Sequence, residues 1–438
     1  MKGGAVNIGI RREDKNRWEA RSPLVPAQIA KLAHPGLSFM VQRSPTRAYS
    51  DAEFAASGAR IVDALDEADI ILSIKEVPPA ELRDGKVHVF FSHTFKGQKY
   101  NMPMLSEILR KGVTLIDYEK ITDETGRRLV FFGNWAGYAG LIDTLRAFGR
   151  RKAFEGVSNP FEAVRPTYEY GTFAAARAAL ASIGAGIREQ GLPKALVPMV
   201  VGITGYGNVS RGVQEMLREL PVIELSPNEL QGINASNARA DALYMTVFRE
   251  EHTVQRRDGA PFSLPDYFGN PSLYEPVFAR QLPYLSILVN AVYWGPQNPH
   301  LVSDGDVVRL YGGPTAPKLS VIGDISCDIE GAVECTKEST EPDEPVYVWD
   351  TTTRSVRFGI EGHGPVIMAV DNLPCELPRE SSETFGDSFI PFLEPLAGAD
   401  FTVPFATLEL PEAIKKAIIV YRGDFTPAYE YMRKFLTD

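Results

Sequence analysis

Between residues 5 and 133 the chain alternates short apolar runs with stretches of helical period. The runs are AVNIGI, LSFMVQ, DIILSI, VHVFF, VTLIDY and LVFFG, and PAQIAKLA and MLSEILRKG lie between them. Short β-branched and aromatic runs read as buried strands, and the 3.6-residue pattern reads as helices laid over a sheet. Strands that alternate with helices predict a mostly parallel sheet. Two helices come next, AGYAGLIDTLRAFGRRKAF and YGTFAAARAALASIGAGIREQ, the second rich in Ala and Gly and suited to close packing. From residue 198 to 371 the alternation resumes with VVGIT, VIEL, YMTVF, ILVNAVYW, KLSVIGDI and VIMAV. The tail from 377 reads as helical, with no sheet of its own to cover, and is expected to return to the first domain. Polar stretches near 255–275 and 336–345 read as insertions. The pattern therefore predicts an α/β protein of two Rossmann-like domains, with parallel sheets separated by a cleft. The first comprises 1–134 plus 372–438, and the second 135–371.

Composition narrows the chemistry. A chain of 438 residues, 44% hydrophobic and 23% charged, can bury more than one core. The net charge of −10 excludes nucleic acid and anionic membrane as main partners, since both attract basic faces. No apolar run reaches the ~18 residues that suggest a bilayer span. Cys327, Cys335 and Cys375 form no CxxC pattern, and MKGGAVNIGIRRED turns charged before a signal-like region could form. These features predict a reducing, cytoplasmic setting and small-molecule substrates. No zinc or calcium spacing and no Walker-type loop is present, so no metal is expected.

One turn points to a cofactor. PMVVGITGYGNVSRGVQEMLREL runs from a strand through glycines into an amphipathic helix, the context a dinucleotide fingerprint needs. Gly205 would permit the tight turn, and Gly207 would let the backbone approach a pyrophosphate. The amides of Asn208 and Val209 would open the helix toward it. Ser210 stands where the usual third glycine would be. A two-glycine turn without a cofactor is the alternative. The strand after that helix ends VIELSPNEL, where Glu224 or Ser226 would meet the adenosine ribose; NAD and NADP both stay open. Asn290 and Asp324 close two later strands of the same domain, at the edge where ligands of open α/β sheets bind. The second domain is thus expected to bind the dinucleotide.

The first domain carries acid and base groups. IILSI ends at Lys75, and His93 follows VHVFF, so both fall at carboxyl ends of consecutive strands. Glu76, Asp117 and Glu119 add carboxylates, and Glu19 and Arg21 follow the first strand in WEARSPL. Lysine is a poor base at a pKa of ~10.4, but desolvation and cationic neighbours lower it, and histidine titrates near neutrality. Arg21, Lys96, Arg127 and Arg128 would serve a substrate with several carboxylates. A surface lysine and a capping histidine are the plain alternative.

Taken together, IRREDKNRWEARSPLVP, FFSHTFKGQ, LIDYEKITDETGRRLVFFGNWAGYAGLID, GYGNVSRG, DISCDIEGAVECT and DNLPCELPRESSETFGD resemble the lysine–2-oxoglutarate reductase domain of the bifunctional aminoadipic semialdehyde synthases. More distantly they resemble single-chain saccharopine dehydrogenases (lysine-forming), whose fold is shared with alanine dehydrogenase and the transhydrogenase NAD domain. The resemblance covers nearly the whole chain; the second enzyme half of the bifunctional protein has no counterpart in it. It implies NADP- or NAD-dependent coupling of L-lysine to 2-oxoglutarate through an imine, giving saccharopine, or the reverse. The family's acid/base pair maps onto Lys75 and His93, and its substrate-binding positions onto Arg21, Lys96, Glu119, Arg128 and Phe132. An alanine-dehydrogenase-like deaminase of a smaller amino acid and a silent nucleotide-binding protein are the competing expectations.

Overall fold

The computed structural model describes residues 5–436. The chain falls into two compact units, one of residues 1–132 with 378–438, the other of residues 133–377. In the first unit the strands are β1 (Val6–Ile10), β2 (Leu37–Gln42), β3 (Arg60–Val62), β4 (Ile70–Leu72), β5 (Val87–Phe90) and β6 (Thr114–Asp117). They are parallel and lie in the order β6-β5-β4-β1-β2-β3. Ile8, Ile10, Leu72, Val89 and Ile116 are fully buried and pack with Phe385, Phe389 and Leu393 of the helix Pro378–Gly398. The LVFFG run, expected as a strand, pairs with nothing in the sheet. It is apolar for another reason: Val130 is buried, and the Phe132 ring stacks on Phe385 with centroids 4.6 Å apart.

The second unit holds β7 (Val200–Thr204), β8 (Val222–Glu224), β9 (Leu243–Phe248), β10 (Val254–Arg256), β11 (Tyr274–Pro276), β12 (Ile287–Asn290), β13 (Val321–Asp324), β14 (Val346–Asp350), β15 (Ser355–Phe358) and β16 (Val366–Met368). Its main sheet runs β15-β14-β16-β13-β12-β7-β9-β8, with β14 and β15 antiparallel at one edge. The polar stretch near 255–275 is a separate two-stranded hairpin of β10 and β11 that carries the helix Leu264–Gly269. Helix Asn134–Phe154 crosses helix Asn208–Leu217 closely enough that a Cβ on Gly137 would strike the Val209 carbonyl oxygen. One on Gly212 would strike that of Asn134.

The tail does more than cover the first sheet. Beyond its long helix, β17 (Ile418–Tyr421) pairs antiparallel with β6, and β18 (Asp424–Phe425) closes a hairpin on it. PEAIKKAIIVY read as one helix, but the helical period stops at Ala417 and IIVY is a fully buried run of strand length. Both eight-stranded sheets are therefore mixed, where parallel sheets were expected; the added antiparallel strands sit at edges, where no crossover helix is required. Among the described residues no helix is long and apolar enough to cross a membrane.

Candidate active site

Parallel strands deliver their carboxyl ends to one edge of a sheet. In the order β6-β5-β4-β1 the residues just beyond those ends are Glu119, His93, Lys75 and Glu13. Lys75, His93 and Glu13 each stand three residues past the strand, and Glu119 stands two past. The structure thus brings Lys75 and His93 to adjacent strand ends and adds Glu13, which the sequence reading passed over. Its spacing matches only by the strand bounds, three residues past Ile10 as Lys75 is past Leu72; in the sequence it sits in the charged string RREDK beyond the apolar run.

Glu13 is buried, and its two oxygens accept the backbone N–H groups of Ile74 at 2.7 Å and Lys75 at 2.9 Å. Burial, then the charge of Glu19, raise its pKa to about 7 against the opposing effects of those two bonds and Arg11. Lys75 is half-buried. His93 Nδ1 lies 2.8 Å from Glu76 Oε1, and Lys15 Nζ donates to Glu76 Oε2 at 3.0 Å. Burial pushes Glu76 up but is outweighed by His93 and Lys15, which hold it down at about 2. The His93 backbone has φ 48°, in the left-handed region that costs a β-carbon residue energy. Asn101 holds this turn by donating Nδ2 to the Ser92 and His93 carbonyls at 3.1 and 3.2 Å. Asp117, fully buried, accepts from Ser92 N and Oγ and from Glu119 N at 2.8 Å, so one carboxylate fixes both flanking loops.

The expected substrate-binding positions are unequal. Glu19 and Arg21 form a bidentate pair, 1% and 2% exposed, and the Arg21 guanidinium carbon lies 4.1 Å from the Phe132 ring centroid. Arg128 donates to Glu119 in a partly exposed pair, and Lys96 is exposed. Arg127 stands apart, tied to Asp123 at 3.0 Å in an exposed turn. Lys120, not singled out in the sequence, places Nζ 3.7 Å from the Phe95 ring centroid. Burial lowers its pKa, with Glu119 and Asp117 opposing.

In the second unit the β7 turn has the properties a pyrophosphate cradle needs. Gly205 has φ +86°, and a Cβ there would come within 2.7 Å of the Ala291 carbonyl oxygen. At Gly207 a Cβ would meet nothing within 4 Å, so hydrogen alone leaves the approach to the backbone open. Asn208 and Val209 begin the helix, with Gly207 as its N-cap. Behind the turn, Thr204 Oγ1 donates to Asn290 Oδ1 at 2.9 Å, Asn290 Nδ2 to Asp324 Oδ1 at 2.8 Å, and Thr336 Oγ1 to Asp324 Oδ2 at 2.6 Å. Asn290 and Asp324 are fully buried, so they brace the strand ends beneath the turn. Burial raises Asp324 to about 6 against those hydrogen bonds.

Glu224 and Ser226 stand at the end of β8. β8, which they end, is the edge strand, and β9 lies between it and β7. The strand after the helix in sequence is not the next one in the sheet. Glu224 is exposed and paired with Arg218 at 2.7 Å, and Ser226 is bound to Glu229 at the start of a short turn.

A nucleotide-type glycine turn in one α/β unit and a row of acid and base groups in the other define a two-unit α/β protein of dehydrogenase type. The chain belongs to the alanine dehydrogenase/PNT family: the model of its N-terminal domain matches residues 9–139 and that of its C-terminal domain residues 272–428. It is 38% identical over 97% of its length to an alpha-aminoadipic semialdehyde synthase of Arabidopsis thaliana, covering 41% of that protein. It is 34% identical over 98% to a mitochondrial one of Bos taurus, covering 47%. The chain therefore spans less than half the length of these relatives. It is also 29% identical to a saccharopine dehydrogenase (NAD(+), L-lysine-forming) of Emericella nidulans, over 89% of this chain and 92% of that one. Among solved structures an L-alanine dehydrogenase shares the fold, with a TM-score of 0.62 at 17% identity over 99% of this chain and all of that one.

Proposed function

We propose that this chain is an NAD(P)-dependent oxidoreductase acting on CH–NH bonds, which condenses L-lysine with 2-oxoglutarate to saccharopine or runs the reverse reaction. The observation that carries the reading is the row Glu119, His93, Lys75 and Glu13 at one sheet edge. Nucleotide binding alone does not call for such a row. The names of the relatives matched over most of the chain support the choice of substrates.

Joining an amine to a ketone through an imine needs protons moved at the departing oxygen and at the nitrogen. Lys75 and His93 move them. Glu13 fixes the Lys75 backbone, and Glu76 occupies Nδ1 of His93, which leaves Nε2 for the substrate. Arg21, held by Glu19 and backed by Phe132, binds a carboxylate together with Lys96. The Glu119–Arg128 pair presents opposite charges, and an amino-acid head group offers the matching ammonium and carboxylate. NADP or NAD supplies the hydride when bound. Gly205, Gly207, Asn208 and Val209 would hold its pyrophosphate, with Asn290 and Asp324 bracing the turn. The partners are small molecules and the setting cytoplasmic.

The test is oxidation of NADPH or NADH with lysine plus 2-oxoglutarate, set against pyruvate plus ammonia. Turnover with the first pair alone is expected. Turnover with the second pair alone would make the protein a deaminase of a small amino acid, and turnover with neither would leave a nucleotide-binding protein.

A further inference from the structure

The segment Pro427–Phe435 places an apolar side chain at every third residue, Tyr429, Met432 and Phe435. It folds as a 3₁₀ helix, whose three residues per turn bring all three to one face. Tyr429 and Met432 are buried and Phe435 half-buried, packed with Phe90 of β5 and with Leu105 and Ile108 of the helix Met102–Arg110. A run of 9 residues is long for such a helix, whose hydrogen bonds are poorly aligned, so packing holds it in shape. Its start is anchored on the tail itself: Thr426 Oγ1 donates to the Ile418 carbonyl at 2.7 Å, and the Tyr429 hydroxyl to that of Lys416 at 3.1 Å.

Its far end reaches the loop of residues 94–98, which follows His93 and carries Lys96. The Tyr431 hydroxyl donates to the Phe95 carbonyl at 2.7 Å. Among the described residues no other hydrogen bond reaches residues 95–98 from outside 94–101. Gly97 has φ +71°, and a Cβ there would come within 2.6 Å of the Phe435 ring, so that ring lies directly against the loop backbone. The Phe95 ring in turn meets two ammonium groups, Lys120 Nζ 3.7 Å and Lys96 Nζ 5.7 Å from its centroid. Where Phe95 is held therefore sets where both charges stand.

We propose that Tyr431 and Phe435 are positioning residues: without touching substrate, they clamp the loop and so set how tightly Lys96 and Lys120 receive a carboxylate of the keto acid. This rests on the reading of Lys96 as a substrate ligand. The proton-transfer group on the same loop is independent of the clamp. Asn101 holds the Ser92 and His93 carbonyls, and Glu76 holds the His93 ring. Loosening the clamp is thus a change in binding that spares the chemistry.

Steady-state kinetics of the full chain, paired with hydrogen exchange read by mass spectrometry, test this. Tyr431→Phe is expected to raise KM for 2-oxoglutarate about threefold to tenfold, the scale of one neutral hydrogen bond, with kcat and the KM values for lysine and NAD(P)H unchanged. Phe435→Ala should act the same way, and Phe435→Leu, which restores an apolar contact, should recover part of the loss. In both clamp variants the amides of residues 95–98 should exchange faster while β5 keeps its protection. Unchanged exchange in the loop, an unchanged KM in an active enzyme, or a fall in kcat accompanied by lost protection in β5 would overturn the inference and leave the proposed reaction standing. A wild type that turns over no substrate pair would overturn the proposed reaction and the inference with it.

Discussion

Replacing Glu13 by Gln should flatten the pH dependence of stability. Glu13 is fully buried with a pKa of about 7 in the folded chain against an ordinary 4.5. A carboxyl whose folded pKa is raised binds its proton more tightly folded than unfolded. Its stabilising contribution is therefore complete below pH 4.5 and is lost as pH rises through 7. Integrated between pH 5 and pH 8, the shift amounts to roughly 2 kcal/mol of lost stability from this one side chain. Gln cannot titrate, so that slope disappears. It also has one acceptor oxygen where the amides of Ile74 and Lys75 now find two. The variant should consequently be less stable at pH 5 by about 1–3 kcal/mol, the cost of leaving a buried N–H unmatched.

The two stability curves should therefore converge by pH 8. Urea unfolding at pH 5, 6, 7 and 8 measures both, and taking the difference removes the other buried carboxyls, Asp117, Asp143, Asp324 and Glu376, whose pKa values are also raised. A variant that keeps the wild-type slope would show that Glu13 is ionised in the folded chain at low pH, and the account of its burial would be wrong.

Three further outcomes are expected. Lys75→Met should lower turnover on the order of 10²-fold or more with dinucleotide affinity unchanged, since the residue moves protons and belongs to the other unit; normal turnover would place the base elsewhere. Gly207→Val should abolish NAD(P)H binding while the fold survives, because φ is −76° and the new side chain enters open space; wild-type affinity by calorimetry would remove the turn from the site. Glu376, buried against Asp143, has a pKa raised well above the carboxylate range by burial and then by Asp143. Glu376→Gln should gain stability relative to wild type as pH rises from 5 to 8, and a constant difference in chemical denaturation across that range would refute the raised pKa.

Parallel strands in a covered sheet are apolar throughout, so an ionisable residue soon after one stands out. Lys75 and His93 drew notice that way, and the structure places them at adjacent strand ends. Glu13 drew no notice, since two arginines separate it from VNIGI and more charges follow it. Strand order was harder to read. β8 and β9 are joined by a loop, and nothing in VIEL or YMTVF states which of them lies against β7. Burial decides it: β9 is closed on both faces and β8 is half-open, as an edge strand can be. That difference in polarity is small over three residues, so the sequence leaves the order of the two strands open.

The glycine turn departs from the usual pattern at one position, and the structure shows what stands there instead. Ser210 occupies the place of the third glycine, whose task is to let the helix approach its neighbour closely. Ser210 is buried and accepts from Gln214 Nε2 at 3.0 Å, so it is accommodated within its own helix. Close approach is supplied two residues later by Gly212, where a Cβ would strike the Asn134 carbonyl oxygen, and reciprocally by Gly137 against Val209. The partner of helix Asn208–Leu217 here is the long helix Asn134–Phe154, so the contact that demands glycine falls on a different turn of the helix. Glycine in this segment is thus demanded where helix meets helix, two residues past the position the fingerprint reserves for it.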